Sequence, residues 1–393
     1  MLNLDYEHCS GCGACVQKCP KGCISWEQGE LGFMYPMIDE TSCINCDLCE
    51  NTCPIGKEIE VPKLQVVSAL VNKNADILSH STSGGAFTAI AESVLEEGGA
   101  VYGCSMEEGF QARHIRVTDG KELEKLRGSK YIQSDTVETF KFAKQDLEVG
   151  KRVLFSGTPC QIVGLRHFLG TDYENLLTID IVCHGVGSQA YFDRFMEDLI
   201  RREGSIEELR FRDKKYVGWS CDGSIVITPS TSRKREERPF YNYKNYYYSY
   251  FLSGDIYRKS CYCCPYANAQ RQGDITLGDF WGIEALKLPI DSYNGCSLVI
   301  ANTEKGNDAI STLTNVSIVA ASAEAAMKHN GQLVAPSILK ASRTKRISEY
   351  ERMSGQEIQE AYIRENKKKL IRGKIKTMIP YDLKRMIRCL RGY

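Results

Sequence analysis

The chain has 393 residues, and its 50 lysines and arginines balance 50 aspartates and glutamates, which gives a formal net charge of zero. Charged residues at 25% and apolar residues at 42% are ordinary for a soluble globular protein. The sequence has no apolar run of about 18 residues and no leader-like pattern before its first cysteine, so we expect neither a membrane span nor a signal peptide. The expectation is a soluble, cytoplasmic protein of about two to three domains.

Eighteen cysteines are far more than usual for a chain of this size. They cluster at the N-terminus and again in the middle, which favours metal sites in a reducing compartment over a disulfide framework. Cysteines without partner spacing are predicted to be structural; these are Cys104, Cys221, Cys296 and Cys389.

Residues 1–60 contain one cysteine pattern twice, C-x2-C-x2-C-x3-C-P, with a hairpin predicted between the copies around residues 29–32. This spacing is typical of [4Fe–4S] ligation in bacterial ferredoxins, where the fourth cysteine of each run binds the other cluster. The predicted ligands are Cys9, Cys12, Cys15 and Cys53 for one cluster, and Cys43, Cys46, Cys49 and Cys19 for the other. A disulfide-rich module is the alternative, although thiols this crowded suit metal ligation better. Cys23 lies outside both runs and is predicted to be a small buried apolar residue rather than a ligand.

Residues 61–80 are predicted to be a linker with helical tendency, and a main body follows. Apolar strands alternate there with helical segments, which indicates parallel α/β structure up to about residue 203 and an antiparallel region beyond it. The predicted domains are a two-cluster ferredoxin-type module (1–60), two parts of a mixed α/β body (61–150 and 151–330) and a basic helical tail (331–393). The fold class is therefore α+β and multidomain.

A second cysteine cluster contains the C-x2-C pair Cys261 and Cys264, which needs two further ligands. Cys160 and Cys183 follow two parallel strands, and open α/β sheets place their sites at the carboxyl ends of such strands. Four thiolates at that edge predict a third [4Fe–4S] cluster. A zinc site, redox-active thiols and ordinary buried cysteines are the alternatives, and Cys263 is an alternative ligand.

Two short segments have the chemistry of a phosphate or flavin contact. Residues 83–85 combine a hydroxyl with paired glycines before a helical pattern, so backbone N–H groups can approach a phosphate there; a plain helix-capping turn is the alternative. Residues 127–131 offer cations, a hydroxyl and an aromatic ring, with an ordinary surface loop as the alternative. The candidate contacts are Ser83, Gly84, Gly85, Ser129, Lys130 and Tyr131.

Several motifs occur in a characteristic order. They are Ser83-Gly-Gly85, Arg127-Gly-Ser-Lys-Tyr131, Ser156-Gly-Thr-Pro-Cys160-Gln161, Cys183-His184-Gly185, Cys261-x-x-Cys264 and the Asp279-Phe-Trp281 segment. In this set, over about residues 1–330, the chain resembles the family of the coenzyme F420 hydrogenase/dehydrogenase beta subunit, fused to a two-cluster ferredoxin module. The resemblance implies FAD beside the iron–sulfur clusters. By position, it implies flavin contacts at the glycine loop and the 129–131 stretch, and cluster ligands at Cys160, Cys183, Cys261 and Cys264. Cys263 departs from the family pattern.

We therefore expect an iron–sulfur flavoprotein oxidoreductase that exchanges electrons with an external redox subunit or ferredoxin-like protein and acts on a small molecule. A deazaflavin and an intermediate of polysaccharide biosynthesis are the two substrate classes considered. An electron-transfer subunit that docks to a catalytic partner is the alternative. His184 is the candidate catalytic residue, with a structural role as its alternative, and Asp279 and Trp281 either shape the pocket or form a turn. No nucleic-acid partner is expected.

The end of the chain is basic. From Lys340 to Tyr393 there are 16 lysines and arginines against 6 aspartates and glutamates. A basic amphipathic segment favours peripheral contact with an anionic membrane or an acidic partner, and a solvated helix or a frayed terminus is the alternative.

Overall fold

The computed structural model describes residues 5–57 and 65–390. Its strands are β1 (Ile24–Gln28), β2 (Met34–Ile38), β3 (Val66–Asn72), β4 (Ala100–Glu107), β5 (Gln111–Val117), β6 (Val153–Gly157), β7 (Leu176–Ile181), β8 (Ser205–Arg210), β9 (Gly223–Thr228), β10 (Glu236–Phe240), β11 (Ile275–Asp279), β12 (Ser297–Ala301) and β13 (Val316–Ala320). Its α-helices are α1 (Ala14–Lys18), α2 (Leu48–Thr52), α3 (Ala75–His80), α4 (Ala86–Glu96), α5 (Thr139–Glu148), α6 (Pro159–Leu169), α7 (Gln189–Glu203), α8 (Lys214–Val217), α9 (Tyr246–Ser253), α10 (Ile283–Leu286), α11 (Glu304–Ser311), α12 (Ala323–Lys328), α13 (Ser342–Arg352), α14 (Gly355–Glu365), α15 (Lys367–Met378) and α16 (Tyr381–Leu390).

An eight-stranded mixed sheet forms the body, in the order β13-β3-β12-β11-β7-β6-β4-β5. The predicted parallel strands lie at its centre, where β6 pairs with β4 and β7, and β7 pairs with β11. Antiparallel strands flank them on both sides. The parallel centre matters for function because the carboxyl ends of β6 and β7 meet at one edge, and Cys160 and Cys183 follow those ends.

Helices cover both faces of this sheet. On one face, α4 buries Ile90 and Val94 against the strands. On the other face, α5 and α6 bury Phe140 and Ile162, and Cys12 joins the same core cluster. Since a Cβ atom on Gly164 of α6 would lie 2.9 Å from the Cys12 sulfur, a glycine there lets the N-terminal module pack directly on the sheet layer.

The predicted hairpin of the N-terminal module is present, because β1 and β2 pair antiparallel with Ile24 opposite Ile38. The antiparallel region predicted after residue 203 is also present, as the sheet β10-β9-β8. This small sheet packs with α7 and α9 in an aromatic core that includes Tyr247. Helix α14 contributes Ile358 and Tyr362 to the same core, so the predicted tail is packed at least through this helix.

The predicted linker with helical tendency over residues 61–80 is wrong for its first described part, whereas Ala75–His80 forms the helix α3. Residues 61–64 lie outside the described ranges, but Val66–Asn72 forms β3, which lies between β12 and β13 in the large sheet. The cause is the short apolar run Val66-Val-Ser-Ala-Leu-Val71, because such a run cannot be assigned to helix or strand by periodicity alone. Pairing with distant strands decided the outcome.

A buried ion pair fixes the second cysteine cluster to the sheet. Arg271 is 1% exposed and donates to the Asp180 carboxylate of β7 at 3.2 Å and to the Ile181 carbonyl at 3.0 Å. Asp180 also accepts the backbone N–H groups of Gln272 and Gly273. These bonds hold the loop that follows Cys264 against the strand that leads to Cys183.

We predict that Arg271→Met destabilises the chain by about 3–5 kcal/mol, because it leaves the Asp180 carboxylate buried without its cation. Chemical denaturation followed by circular dichroism measures the loss. Arg235→Met is the matched control, since Arg235 pairs with Glu207 at the surface, and we expect a change of at most about 1 kcal/mol there. Equal losses in the two variants would contradict the role given to the buried pair.

Candidate iron–sulfur and flavin sites

The eight N-terminal thiols are grouped by the structure in the two predicted sets. One small cavity is lined by Cys9, Cys12, Cys15 and Cys53. A second is lined by Cys19, Cys43, Cys46 and Cys49. In each case the fourth cysteine comes from the other run, because α1 and α2 pack against each other and cross the ends of the two runs. Each donor set has the composition that a [4Fe–4S] cube requires.

The burial of the first thiol set explains why its cysteines are suited to binding iron. Desolvation raises the pKa of Cys12 to about 12 and also raises the pKa of Cys15 and Cys53. A buried thiolate therefore needs neighbouring positive charge, which iron supplies. Within the described ranges, no three Cys, His, Asp or Glu side chains close around a single metal ion. A cube differs from such a site, since its four thiolates each bind a separate iron around a shared space.

Cys23 differs from its prediction as a small buried apolar residue. It is half-buried and lines the second cavity, with its sulfur 3.4 Å from the Cys19 sulfur. Interaction with Cys19 raises the pKa of Cys23 to about 11. The turn formed by Pro20-Lys-Gly22 returns the chain, so that the Cys23 thiol lies beside Cys19. The spacing rules for the two cysteine runs do not include this residue.

A third group of thiols lines a cavity of about 470 Å³ at the carboxyl ends of β6 and β7. Its sulfurs belong to Cys160, Cys183, Cys261, Cys263 and Cys264. Burial raises the pKa of Cys261 to about 12 and that of Cys264 to about 11. Burial also raises the pKa of Cys183, and the neighbouring thiolate charges of Cys261, Cys160 and Cys264 raise it further.

Cys263 stands apart from the other four thiols of this cavity. Its side chain is exposed, its sulfur lies 3.9 Å from the Glu7 carbonyl oxygen, and the strongest charges acting on it are those of Glu7 and Asp5. The geometry therefore groups Cys160, Cys183, Cys261 and Cys264 as the predicted set, although the assignment of ligands stays a prediction.

A large cavity of about 620 Å³ lies between the sheet edge and the aromatic core. Five of the six predicted flavin contacts line it: Ser83, Gly85, Ser129, Lys130 and Tyr131. Gly84 is not among the lining residues. A Cβ atom there would collide with the Leu70 carbonyl of β3, so this glycine serves the close approach of loop and sheet.

Fewer backbone N–H groups are free at the start of α4 than the paired glycines indicated. The Gly84 and Ala86 N–H groups already donate to the Ser297 hydroxyl at 3.0 and 3.4 Å. The Lys214 ammonium holds the loop by donating to the Ser83 carbonyl at 2.6 Å. Packing and these hydrogen bonds therefore hold the glycine loop in the cavity wall, and two of its N–H groups are already used.

The second flavin segment supplies cations to the cavity wall. Lys130 donates to the carbonyl oxygens of Lys125 and Arg127, and burial lowers its pKa to about 8. The Arg127 side chain lines the cavity, and its Nε is buried without a hydrogen-bond partner among the described residues. The guanidinium also lies 3.9 Å from the Glu92 carboxylate, and a guanidinium is the kind of group that binds a phosphate or pyrophosphate oxygen.

His114 lines the same cavity and was missed by sequence reasoning. Its Nε2 lies 2.9 Å from the Ser156 carbonyl, which can only accept, so Nε2 carries the hydrogen and Nδ1 accepts from the Ser134 hydroxyl at 2.9 Å. The Gln161 amide donates in turn to Ser134 Oγ. Burial lowers the pKa of His114 to about 4, so this imidazole is neutral near pH 7. Nothing in the strand sequence around it marks the residue out.

Asp279 and Trp281 both line the cavity, and Asp279 lies close to the glycine loop because it pairs across the sheet with Ser297. Asp279 pairs with the buried Arg212 and accepts from the Trp219 indole N–H at 2.8 Å, while the two tryptophan rings stack. The residues thus form a fixed wall. Cys104 and Cys221, which were predicted to be structural only, also line this cavity.

His184 lies in the partition between two cavities. The segment of residues 183–186 lines both the large cavity and the third thiol cavity. The third cavity also shares Ser10, Pro54 and Ile55 with the wall of the first thiol cavity. Burial lowers the pKa of His184, so the imidazole is present as a neutral ring between the thiols and the large cavity.

These sites agree with comparisons to known proteins. Residues 8–57 match the family model of the 4Fe-4S dicluster domain. Residues 67–141 and 150–326 match the N-terminal and C-terminal models of the coenzyme F420 hydrogenase/dehydrogenase beta subunit. The class defined by fold and site is an iron–sulfur electron-transfer protein. The chain belongs to the family of the coenzyme F420 hydrogenase/dehydrogenase beta subunit, as its motifs indicated.

Similarity to individual proteins is low. A Methanosarcina mazei protein, named as a subunit of F420H2 dehydrogenase, is 20% identical over 238 residues, which cover 58% of this chain and 68% of that protein. An uncharacterized protein of Methanocaldococcus jannaschii is 26% identical over 204 residues, 44% of this chain and 56% of the relative. A chain of the F420-reducing [NiFe] hydrogenase complex from Methanosarcina barkeri has a TM-score of 0.41 and 15% identity, with coverage of 79% of this chain and 94% of that one.

We predict that acid weakens the fold through His114. Its folded pKa of about 4 lies below the ordinary 6.5, so between these values the unfolded chain binds more protons and acidification favours unfolding. On lowering the pH from 7.5 to 5.5, this group alone removes about 1.4 kcal/mol from the free energy of unfolding. His114→Gln lacks this contribution. Denaturation at both pH values measures the difference, and His80→Gln, at an exposed histidine, is the control. An unchanged pH dependence in His114→Gln would contradict the assignment.

Proposed function

We propose that this chain is an iron–sulfur flavoprotein oxidoreductase that passes electrons between its [4Fe–4S] clusters and a two-electron organic substrate through FAD. The observation that carries the proposal is the shared partition of residues 183–186, which separates the third thiol cavity from the large cavity by one stretch of chain. Together with the wall shared by the first and third thiol cavities, it arranges the first thiol set, the third thiol set and the large cavity in a continuous series.

The donor sets support three cubes. The first two would be held by the thiols of the N-terminal module, and the third by Cys160, Cys183, Cys261 and Cys264. Such clusters supply one-electron transfer when bound. The protein supplies burial, which raises the pKa values of thiols in the first and third groups in the absence of iron.

The large cavity supports FAD, which would supply the exchange between one-electron and two-electron chemistry when bound. Its volume is within the range typical of cofactor sites. Arg127, with its unpaired Nε, and Lys130 provide the positive charge that a pyrophosphate requires, and Ser129 lies beside them. Tyr131, whose ring stacks on Phe251 at 4.7 Å, provides a fixed aromatic face on the cavity wall.

The substrate class favoured by the relatives is a deazaflavin, because the name of the Methanosarcina mazei relative specifies F420H2. A role in polysaccharide biosynthesis, the other expectation, has no observation in its favour. A one-electron carrier or redox subunit is the partner that this chemistry requires. Residues 5–57 and 65–390 contain no helix with the length and apolar character needed to cross a bilayer, and a cytoplasmic location stays a prediction.

We predict that the double change Cys261→Ser with Cys264→Ser lowers the iron content of anaerobically purified protein from about twelve to about eight per chain, since one cube of three is lost. Iron analysis and electron paramagnetic resonance of the reduced protein measure the change. Cys263→Ser is the matched control in the same segment, and we expect it to keep all the iron. A wild-type content of about eight that the double change leaves unaltered would rule out the third cube.

We predict that Arg127→Gln weakens FAD binding by about tenfold or more, because a charge-assisted hydrogen bond to the pyrophosphate is removed. Titration of flavin-depleted protein, followed by flavin fluorescence, gives the dissociation constant. Lys125→Gln is the control, because Lys125 pairs with Glu122 on the surface nearby. If the wild-type protein contains clusters but neither retains nor binds FAD, the flavoprotein proposal fails and an electron-transfer subunit without its own catalytic site becomes the better description.

A further inference from the structure

Helix α15 presents two distinct faces. One face packs on the body, where Lys369 donates to the Ser249 hydroxyl, Gly373 lies against the Tyr243 ring and Thr377 lies within hydrogen-bond distance of the Tyr243 hydroxyl. These contacts leave the opposite face of the helix without a partner among the described residues.

The opposite face of α15 is apolar and exposed. Ile371, Ile375 and Met378 are spaced four and three residues apart, and they are 61%, 57% and 76% exposed. At 100° per residue these side chains form one stripe. Exposed cations flank the stripe on both sides, with Lys367 and Lys374 on one side and Lys368 and Arg372 on the other.

Helix α16 also exposes an apolar face, and its charged face packs on the body. Its arginines face the body, where Arg385 lies over the Tyr293 ring at 5.1 Å and Arg388 lies 3.6 Å from Glu284. Its apolar residues Leu383, Met386 and Leu390 face outward and are exposed. An ordinary surface helix buries its apolar face and exposes its charges, so this helix needs an apolar environment outside the chain.

We propose that α15 and α16 bind the surface of an anionic lipid bilayer. The tail surface, defined by Ile371, Ile375, Met378, Leu383, Met386 and Leu390, would enter the boundary between headgroups and acyl chains. The four cations that flank the stripe on α15 would meet lipid phosphates. A lipid surface is favoured over a folded partner because the apolar stripe lies between two rows of flexible cations, the arrangement typical of interfacial helices. The excess of basic residues after Lys340 matches an anionic surface in charge. The inference does not depend on the proposed redox chemistry.

The test uses the full chain, purified without oxygen, and flotation with phosphatidylcholine vesicles that contain or lack phosphatidylglycerol. We expect binding to the anionic vesicles and little binding to the neutral ones. The triple change Ile371→Ser, Ile375→Ser and Met378→Ser is expected to weaken binding by about tenfold or more. Lys367→Gln with Lys368→Gln and Lys374→Gln is expected to weaken it by about fivefold for each lysine. Raising the salt from about 0.1 M to 1 M, which shortens the screening length from about 10 Å to 3 Å, acts in the same direction.

Matched controls come from other exposed positions. Val149→Ser removes an apolar side chain that is 74% exposed after α5, and Lys121→Gln removes an exposed cation far along the chain from the tail. Both variants are expected to bind vesicles like the wild type. Because all the altered side chains are exposed, circular dichroism is expected to show an unchanged fold.

Three results would overturn the proposal. The first is no binding of the wild type to anionic vesicles, and the second is binding that the serine variant retains in full. The third is a concentration-dependent dimer in sedimentation that the same serine changes abolish while vesicle binding stays absent, because the occupant of the surface is then a second copy of the chain.

Discussion

The buried guanidinium of Arg258 joins the parts of the molecule on which electron transfer depends. It is 1% exposed and donates to the Cys9 carbonyl at 2.7 Å and to the Met34 carbonyl at 3.0 Å, both in the N-terminal module. It also lies 4.2 Å from the centre of the Tyr35 ring. Its own backbone N–H donates to the Val186 carbonyl, and its carbonyl accepts from the Cys261 N–H. One residue therefore contacts the first thiol set, the partition and the third thiol set.

Such a cation is expensive to bury, and its hydrogen bonds must offset the loss of solvent. A further donation to the Gln133 amide oxygen at 3.1 Å helps to satisfy the guanidinium. Gln133 in turn donates to the carbonyl oxygens of Ser10 and Gly11, so the loop around the first thiol set is bonded from both sides. Because each bond has a fixed length and direction, the module has little freedom to shift relative to the third thiol cavity. The positions of the thiols thus follow from a network centred on one residue.

The sequence predicts the parts of this molecule that depend on local spacing, and it fails where distant contacts decide. The two cysteine runs were enough to predict the crossed grouping of Cys19 and Cys53, because ligand spacing is a local constraint. The carboxyl ends of β6 and β7 likewise predicted that Cys160 and Cys183 lie together. By contrast, β3 was mistaken for a linker because its partners β12 and β13 lie more than two hundred residues away. Gly84 stays a predicted flavin contact, but its close approach to the carbonyl of Leu70 also depends on a distant strand and could not be predicted from the sequence.

The remaining differences between the sequence predictions and the structure arise from the burial of particular side chains. Burial depends on the whole fold and cannot be derived from a local motif. His114 has no sequence motif, yet the packing of its ring against Phe155 and the Ser156 carbonyl of β6, together with the Ser134 hydroxyl, leaves it neutral beside the large cavity. The same dependence on distant packing explains Cys23, which the turn after Cys19 returns to the second thiol cavity. This cavity is the most exposed of the three thiol cavities, since Cys46 is exposed and Ile44 beside it is 55% exposed. The first set lies deeper, since Cys9, Cys12 and Cys15 are buried, and the four thiols predicted as third-cluster ligands are intermediate in exposure. The first set is therefore the least exposed of the three. Under the proposed function, this difference leaves the second set nearest to an external one-electron carrier and keeps the first set away from water.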